Sequence, residues 1–271
     1  MTLTTGDTTQ RGYLADTHTG LPMPQPPTFD DPAEERTYRK RRLAAAVRLF
    51  GKYGFGEGIA GHISVRDPEH RTLFWANPFG VSFKHVTVGD LICVDEAGTV
   101  VEGRHPVNPS AFVIHAAIHG MRADAEAAAH AHTAHSRALG ALGRVLEPLD
   151  QESAAFYQDQ VLYSDYQGPS IAEEQGRDIA EKLGTARAIL LRHHGLITVG
   201  NTLEAAVHWF FTYDSCAQVQ LLAAAAGQTQ PMTHEQAIAA QDGFGDAQLA
   251  WFSFQLLYDE IVREQPDLLD E

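Results

Sequence analysis

Two histidines separated by one residue, His130-Ala131-His132, constrain this chain more than any other feature, because side chains at that spacing share a face only on a strand. On a helix the two rings stand about 200° apart and cannot meet one ion. The surroundings sharpen the choice, since residues 123–142 are alanine-rich and alanine favours helix. A strand is nevertheless predicted over 127–133: Arg122-Ala123-Asp124 reads as a break after a preceding helix, and the run is short, apolar and closed by a polar cluster. Further along, Arg192-His193-His194-Gly195 offers another imidazole. Three imidazoles from two segments can hold a cation and leave coordination positions open, which distinguishes a catalytic metal site from a sealed structural one. With 14 histidines in the chain, such a pair also arises by chance, and a lone histidine is ordinarily a hydrogen-bonded core or surface residue.

A chain of 271 residues that is 44% hydrophobic can bury one substantial core. Its formal net charge of -15 argues against nucleic acid or an anionic membrane as partner. No apolar run of about 18 or more residues is present to span a bilayer. The first twenty residues lack a basic segment followed by an apolar one, and Cys93 and Cys216 are too few for a disulfide framework. A cytoplasmic protein with two inert buried thiols is the expectation.

Residues 1–32 are polar and proline-rich and are expected to form a flexible or wrapping arm, followed by a single α/β domain over 33–271. Asp31-Pro32 starts an amphipathic helix that ends near Gly51 and Gly54. Short strands are predicted at 63–65, 72–75, 91–94 and 100–101, separated by turn residues, and a helix at 108–119. After the strand at 127–133 come a helix near 136–143, sheet-like sequence up to Tyr166-Gln167-Gly168, a helix opened by Ser170 and Glu173-Glu174 and running to about Lys182, a buried strand at 188–191, and helices at 203–226 and 248–264. The helix at 203–226 is apolar on several faces, so it must be deeply buried or pack on another subunit.

Taken in order, Gly61-His62-Ile63-Ser64, Asn77-Pro78-Phe79-Gly80, His130-Ala131-His132-Thr133 and Arg192-His193-His194-Gly195 resemble the motifs of the class II aldolase and adducin head-domain family. The resemblance implies an α/β/α sandwich around a mostly antiparallel nine-stranded sheet. It also implies a homotetramer with active sites at subunit boundaries, and a divalent metal on His130, His132 and His194. Two departures carry information. Family members acting on sugar phosphates have a Glu four residues before a helical His, where this chain has Ala111 before His115. They also hold phosphate with a Gly-Asn-x-Ser loop and a polar group in the second loop, where this chain has His62 and Phe79. Phenylalanine offers a phosphate neither donor nor charge, so a phosphosugar is disfavoured; Phe79 as simple core packing is the alternative.

With no carboxylate ligand, the ion keeps its full charge and open positions, suited to an α-keto or α-hydroxy carboxylate with room for dioxygen. The branches this chain resembles include bacterial aldolase-like decarboxylases and non-heme iron oxygenases that shorten prenylated hydroxyphenyl keto acids. The expected function is therefore cleavage of a carbon-carbon bond beside a carboxylate in an aromatic small molecule. Fe(II) with dioxygen is favoured over Zn(II) or Mn(II); a non-oxidative lyase and an adducin-like scaffold are the alternatives. His115 and Tyr163 are the acid-base candidates, Tyr163 being preferred over Tyr157 and Tyr166 and supplied, by resemblance, from a neighbouring subunit. His62, Ser64, Asn77, Phe79, Lys84 and Gln151 are candidate substrate contacts, with Lys84 meeting the carboxylate. His193 is expected to face away from the metal, and His119 and His135 to be packed or surface residues.

Overall fold

The computed structural model describes residues 24–166, 168 and 172–271, so most of the expected N-terminal arm lies outside the described residues. Asp31 caps the first helix, α1 (Pro32–Lys52), by accepting from Ala33 N, and Pro32 occupies the first turn, where an N–H has no partner to lose. The second half of α1, Leu43 through Gly51, is buried. Gly51 is required there because the backbone nitrogen of Lys84 passes 2.8 Å from where a Cβ would stand.

An antiparallel meander follows: β1 (His62–Arg66), β2 (Phe74–Ala76), β3 (Ile92–Val94) and β4 (Val100–Glu102). Then come α2 (Pro109–Met121), β5 (Ala127–Ala131), α3 (Ala134–Ala141), β6 (Gln160–Tyr163), α4 (Glu173–Leu183), β7 (Ala188–Leu191), β8 (Leu196–Gly200), α5 (Leu203–Ala226), α6 (His234–Phe244) and α7 (Ala247–Glu264). The strands form one 8-stranded sheet in the order β4-β3-β2-β1-β5-β8-β7-β6. Neighbours are antiparallel except β6 and β7. The resemblance implied nine strands; eight pair among the described residues. Two elements were not expected: β8 and α6. The latter starts at a Thr233–Gln236 capping box.

Alternation along the strands sorts the helices into layers. Ile63 and Val65 of β1, with Ala127, Ala129 and Leu196, bury against α1, α5 and α7. Ala128, Ile189, Ile197 and Val199 point the other way, onto Ile114 and Ile118 of α2 and Ile179 of α4. The chain is thus an α/β/α sandwich with the sheet in the middle. All five residues of β5 are buried, since the strand is covered on both faces and paired on both edges by β1 and β8. Every ladder N–H and C=O in its interior can be satisfied there, and alanine lets helices approach both faces. This tertiary setting overrides the helix propensity of the stretch. Much of α5 is buried within the chain, where Phe210, Tyr213 and Ala217 belong to the main core, while Val219 and Leu222 in its second half are exposed. Cys93 and Cys216 are buried free thiols, with burial pushing Cys93 up to about 12.

Candidate metal centre

The period of two on β1 and β5 sends His62, Ser64, Ala128 and His130 to the α2 side of the sheet, and the antiparallel register sets His62 directly opposite His130. The strand β5 ends at Ala131. Thr133 then caps α3 by accepting from Ser136 N, so His132 stands at the exit of the strand. The third imidazole comes from the turn joining β7 to β8. There the Leu191 N–H donates to Gly195 O (2.8 Å) and the His194 N–H to Leu191 O (3.0 Å). His193 holds this turn with φ 63, a left-handed conformation uncommon outside glycine but one that histidine enters more readily than most side chains. One nitrogen from each of His130, His132 and His194 lies within 4.8 Å of the other two.

These residues fit a divalent ion. The His130 Nδ1–H donates to Leu196 O at 2.8 Å, which leaves Nε2 unprotonated and aims the ring. The Nε2 atoms of His130 and His132 are 3.0 Å apart, which is close to the separation of two nitrogens that lie ~2.1 Å from one ion at a right angle. Gly195 makes the room: a Cβ there would stand 2.6 Å from Ala131 O, 2.7 Å from His132 Cδ2 and 3.1 Å from His130 Cε1. Burial, and then the neighbouring imidazoles, push His130 well below the ordinary histidine range and His194 down to about 4. Burial and then Arg137 lower His132. All three are therefore neutral imidazoles at neutral pH.

The trio opens on a cavity of about 530 Å³ whose wall includes His62, Asn108, Ser110, Arg137, Tyr166 and His193, with no carboxylate among its described lining residues. Of the residues singled out from the sequence, His62 borders this cavity directly. His115 lies one layer deeper, 2% exposed, with Nε2 2.8 Å from His62 Nδ1 and Nδ1 2.7 Å from Ser64 Oγ. Asn77 is spent on the backbone, accepting from Ile63 N at 2.8 Å. Phe79, Lys84 and Gln151 are absent from the described cavity wall; Lys84 sits on the turn packed against Gly51. Within one chain Tyr163 is buried and donates its hydroxyl to Asp178 at 2.7 Å, while Tyr166 is the tyrosine that borders the cavity.

Below the cavity floor runs a chain of polar contacts. Ser64 Oγ lies 2.8 Å from His119 Nε2, and His119 Nδ1 lies 3.2 Å from Ala125 O. Burial, then Arg66, push His119 down to about 3. An imidazole held neutral in the fold but basic when unfolded contributes stability above about pH 6.5 and loses it as the pH falls toward its folded value, at about 1.4 kcal/mol per pH unit. Denaturant titrations should therefore show stability falling by about 2 kcal/mol per such imidazole between about pH 6.5 and pH 5. A flat profile would contradict a neutral buried chain.

Arg137 and Asp214 were not anticipated. Arg137 was legible only as a cation one turn after the His-x-His element. Asp214 of α5 is 5% exposed; it accepts from Thr133 Oγ1, and its Oδ2 lies 3.0 Å from His135 Nδ1. His135, expected to be helix surface, is thus tied to a buried carboxylate. Asp214 fixes the backbone next to His132 without touching the cavity, so Asp214→Asn should weaken divalent-metal binding by about tenfold, the range seen for outer partners of metal ligands. Competition against a chromogenic chelator measures this, and unchanged affinity would remove the positioning role.

Comparison with known proteins agrees with this geometry. Residues 41–221 match the family model described as Class II Aldolase and Adducin N-terminal domain. A 4-hydroxy-3-prenylphenylpyruvate oxygenase/4-hydroxy-3-prenylbenzoate synthase of Streptomyces roseochromogenus subsp. oscitans is 45% identical over 245 residues, covering 90% of this chain and 88% of that protein. The decarboxylase NovR of Streptomyces niveus is 45% identical over 246 residues, covering 90% and 91%. The solved L-fuculose 1-phosphate aldolase from Glaciozyma antarctica PI12 superposes with a TM-score of 0.84 at 40% identity, covering 91% of this chain and 97% of that one. With a family match over residues 41–221 and relatives 45% identical across 90% of its length, this chain belongs to the class II aldolase and adducin N-terminal domain family.

Proposed function

We propose that this enzyme of the class II aldolase fold binds Fe(II) through His130, His132 and His194 and oxidatively decarboxylates an aromatic α-keto or α-hydroxy acid, with dioxygen as co-substrate. The observation that carries the reading is the donor set: three neutral imidazoles at the floor of a cavity of about 530 Å³ that no described carboxylate lines. Such a face leaves positions for a chelating acid and a second small ligand. The two Streptomyces relatives, named for an oxygenase of a prenylated phenylpyruvate and for a decarboxylase, support an aromatic acid and loss of its carboxyl group. A bound ferrous ion would supply the redox chemistry; the chain's own residues bind and orient. Arg137 forms no ion pair among the described residues and lines the cavity beside His132, so it is the natural partner of the carboxylate. Tyr166 and Ile59, both exposed at the rim, offer apolar surface to the aryl group.

The runner-up is a Zn(II)- or Mn(II)-dependent lyase, favoured by the 40% identity to a solved aldolase. Protein reconstituted anaerobically with each metal and given an arylpyruvate separates the two. Stoichiometric oxygen uptake with carbon dioxide release, confined to the Fe(II) form, is expected; undiminished turnover by the Zn(II) form without oxygen would make it a lyase. Arg137→Gln should weaken binding of the acid by about 10- to 100-fold, the worth of one charge-assisted hydrogen bond. Equal affinity in calorimetry would move the carboxylate elsewhere. Cytoplasmic location and a homotetramer belong to the same proposal, the latter checked by light scattering. No helix among the described residues is long and apolar enough to cross a membrane.

A further inference from the structure

We infer that His62 selects a ligand carrying a hydroxyl beside its carboxylate, an α-hydroxy acid or an enol, over the keto form, because a buried chain anchored on a backbone carbonyl fixes its cavity-facing nitrogen as a hydrogen-bond acceptor. The inference rests on the reading of the cavity as a carboxylate site beside the metal.

The chain has a single allowed direction. Ala125 O can only accept, so the contact at 3.2 Å requires the proton on His119 Nδ1. A neutral His119 then has a bare Nε2, which takes the Ser64 hydroxyl proton at 2.8 Å. With its one proton used, Ser64 Oγ accepts from His115 Nδ1 at 2.7 Å. That leaves His115 Nε2 bare, and it accepts from His62 Nδ1 at 2.8 Å. Every link has one proton and one acceptor, and none can be reversed without asking a carbonyl to donate. Burial of His62, His115 and His119, each at most 5% exposed, opposes any additional charge.

What remains is Nε2 of His62. The ring borders the cavity, with its centroid 4.7 Å from that of His130, yet it is not part of the cluster that could bind the ion. Its lone pair therefore serves an atom attached to the ligand rather than the metal itself. A hydroxyl chelating through oxygen has a proton to give; a ketone has none. The preference follows from this difference, with no charge on His62 involved.

Two measurements test it. Long-range 15N–1H NMR of the full chain, metal-free and Zn(II)-loaded, reads the His62 tautomer directly. A single Nδ1–H form is expected, relaxing to a mixture in Ser64→Ala and in His119→Asn; an Nε2–H form in the wild type overturns the inference. Calorimetry on Zn(II)-loaded protein then compares 3-phenyllactate, its α-methoxy ether and 3-phenylpropanoate. The hydroxy acid should bind about fivefold to tenfold tighter than the ether, and His62→Phe should abolish the difference. If phenylpropanoate binds but the hydroxyl brings no advantage, or the advantage survives in His62→Phe, the role of His62 is wrong. If none of the three binds, the carboxylate-site reading fails instead, and the tautomer still decides the chain.

Discussion

Replacing His132 by alanine is expected to strip the divalent ion from the protein while leaving the fold in place. The imidazole supplies one of three nitrogens gathered within 4.8 Å, so in the proposed centre its loss removes a bond to the ion rather than a supporting contact. Losing an outer partner of a ligand already costs about 10- to 100-fold in metal affinity, and losing the ligand should cost more than about a hundredfold. The ring is only half-buried and its Nε2 is bonded to no partner outside the trio. Stability of the metal-free chain should therefore change by less than about 1 kcal/mol. Metal content after dialysis, read with a thermal melt, checks both halves. A variant that keeps its metal with wild-type affinity would show that the trio is only a packed histidine cluster.

Gly195→Ala is the second variant with a large expected effect, and it acts through space rather than through a ligand. The added methyl meets Ala131 O at 2.6 Å and the ring carbons of His132 and His130 at 2.7 and 3.1 Å. Neither the strand β5 nor the tight turn at 192–195 can withdraw easily, so the two imidazoles must rotate or the turn must lift. Overpacking of this kind costs about 1–3 kcal/mol, and the shifted rings should reduce metal affinity by at least about tenfold. Gly120→Ala is the matched control, because a Cβ near the end of α2 meets nothing within 4 Å. It should be neutral or stabilising by about 0.5–1 kcal/mol. If the two variants melt alike and bind metal alike, the cradle role of Gly195 is lost.

Most of the sandwich was legible in the chain because its strands are short apolar runs set off by turn residues and its helices carry readable ends. Asp31-Pro32 at the start of α1 and the break at residues 122–124 before β5 are local signals, and local signals suffice where tertiary packing agrees with them. The strand β5 itself is the instructive case. Alanine propensity pointed to helix, whereas the break at 122–124 and the short apolar run closed by a polar cluster pointed to a strand; the pairing with β1 and β8 that decides the matter is non-local. The strand β8 was missed because Leu196 to Gly200 follows a histidine turn with no polar alternation, being buried on both faces.

At the site, the three metal candidates were accessible through spacing and family resemblance, whereas their surroundings were not. Asp214 reaches Thr133 and His135 from 81 and 79 residues away in the chain, and no periodicity announces such a contact. His115 was picked out as an acid-base group, yet the sequence cannot say that it lies beneath His62 rather than in the cavity. Ser64 and His119, singled out for other reasons, are joined to it only by the sheet-to-α2 packing. Lys84 was the evident cation for a carboxylate, but the loop after β2 carries it against Gly51 of α1; Arg137, on the helix launched by Thr133, is the cation that lines the cavity.

X-ray absorption at the metal edge, on protein loaded with one equivalent of Fe(II) under anaerobic conditions, tests the centre most directly. Three imidazole nitrogens at about 2.1 Å, with the imidazole scattering reduced in His132→Ala and in His194→Ala, is the predicted outcome. An ion with fewer than two histidine ligands, or a spectrum unchanged by both substitutions, would contradict it.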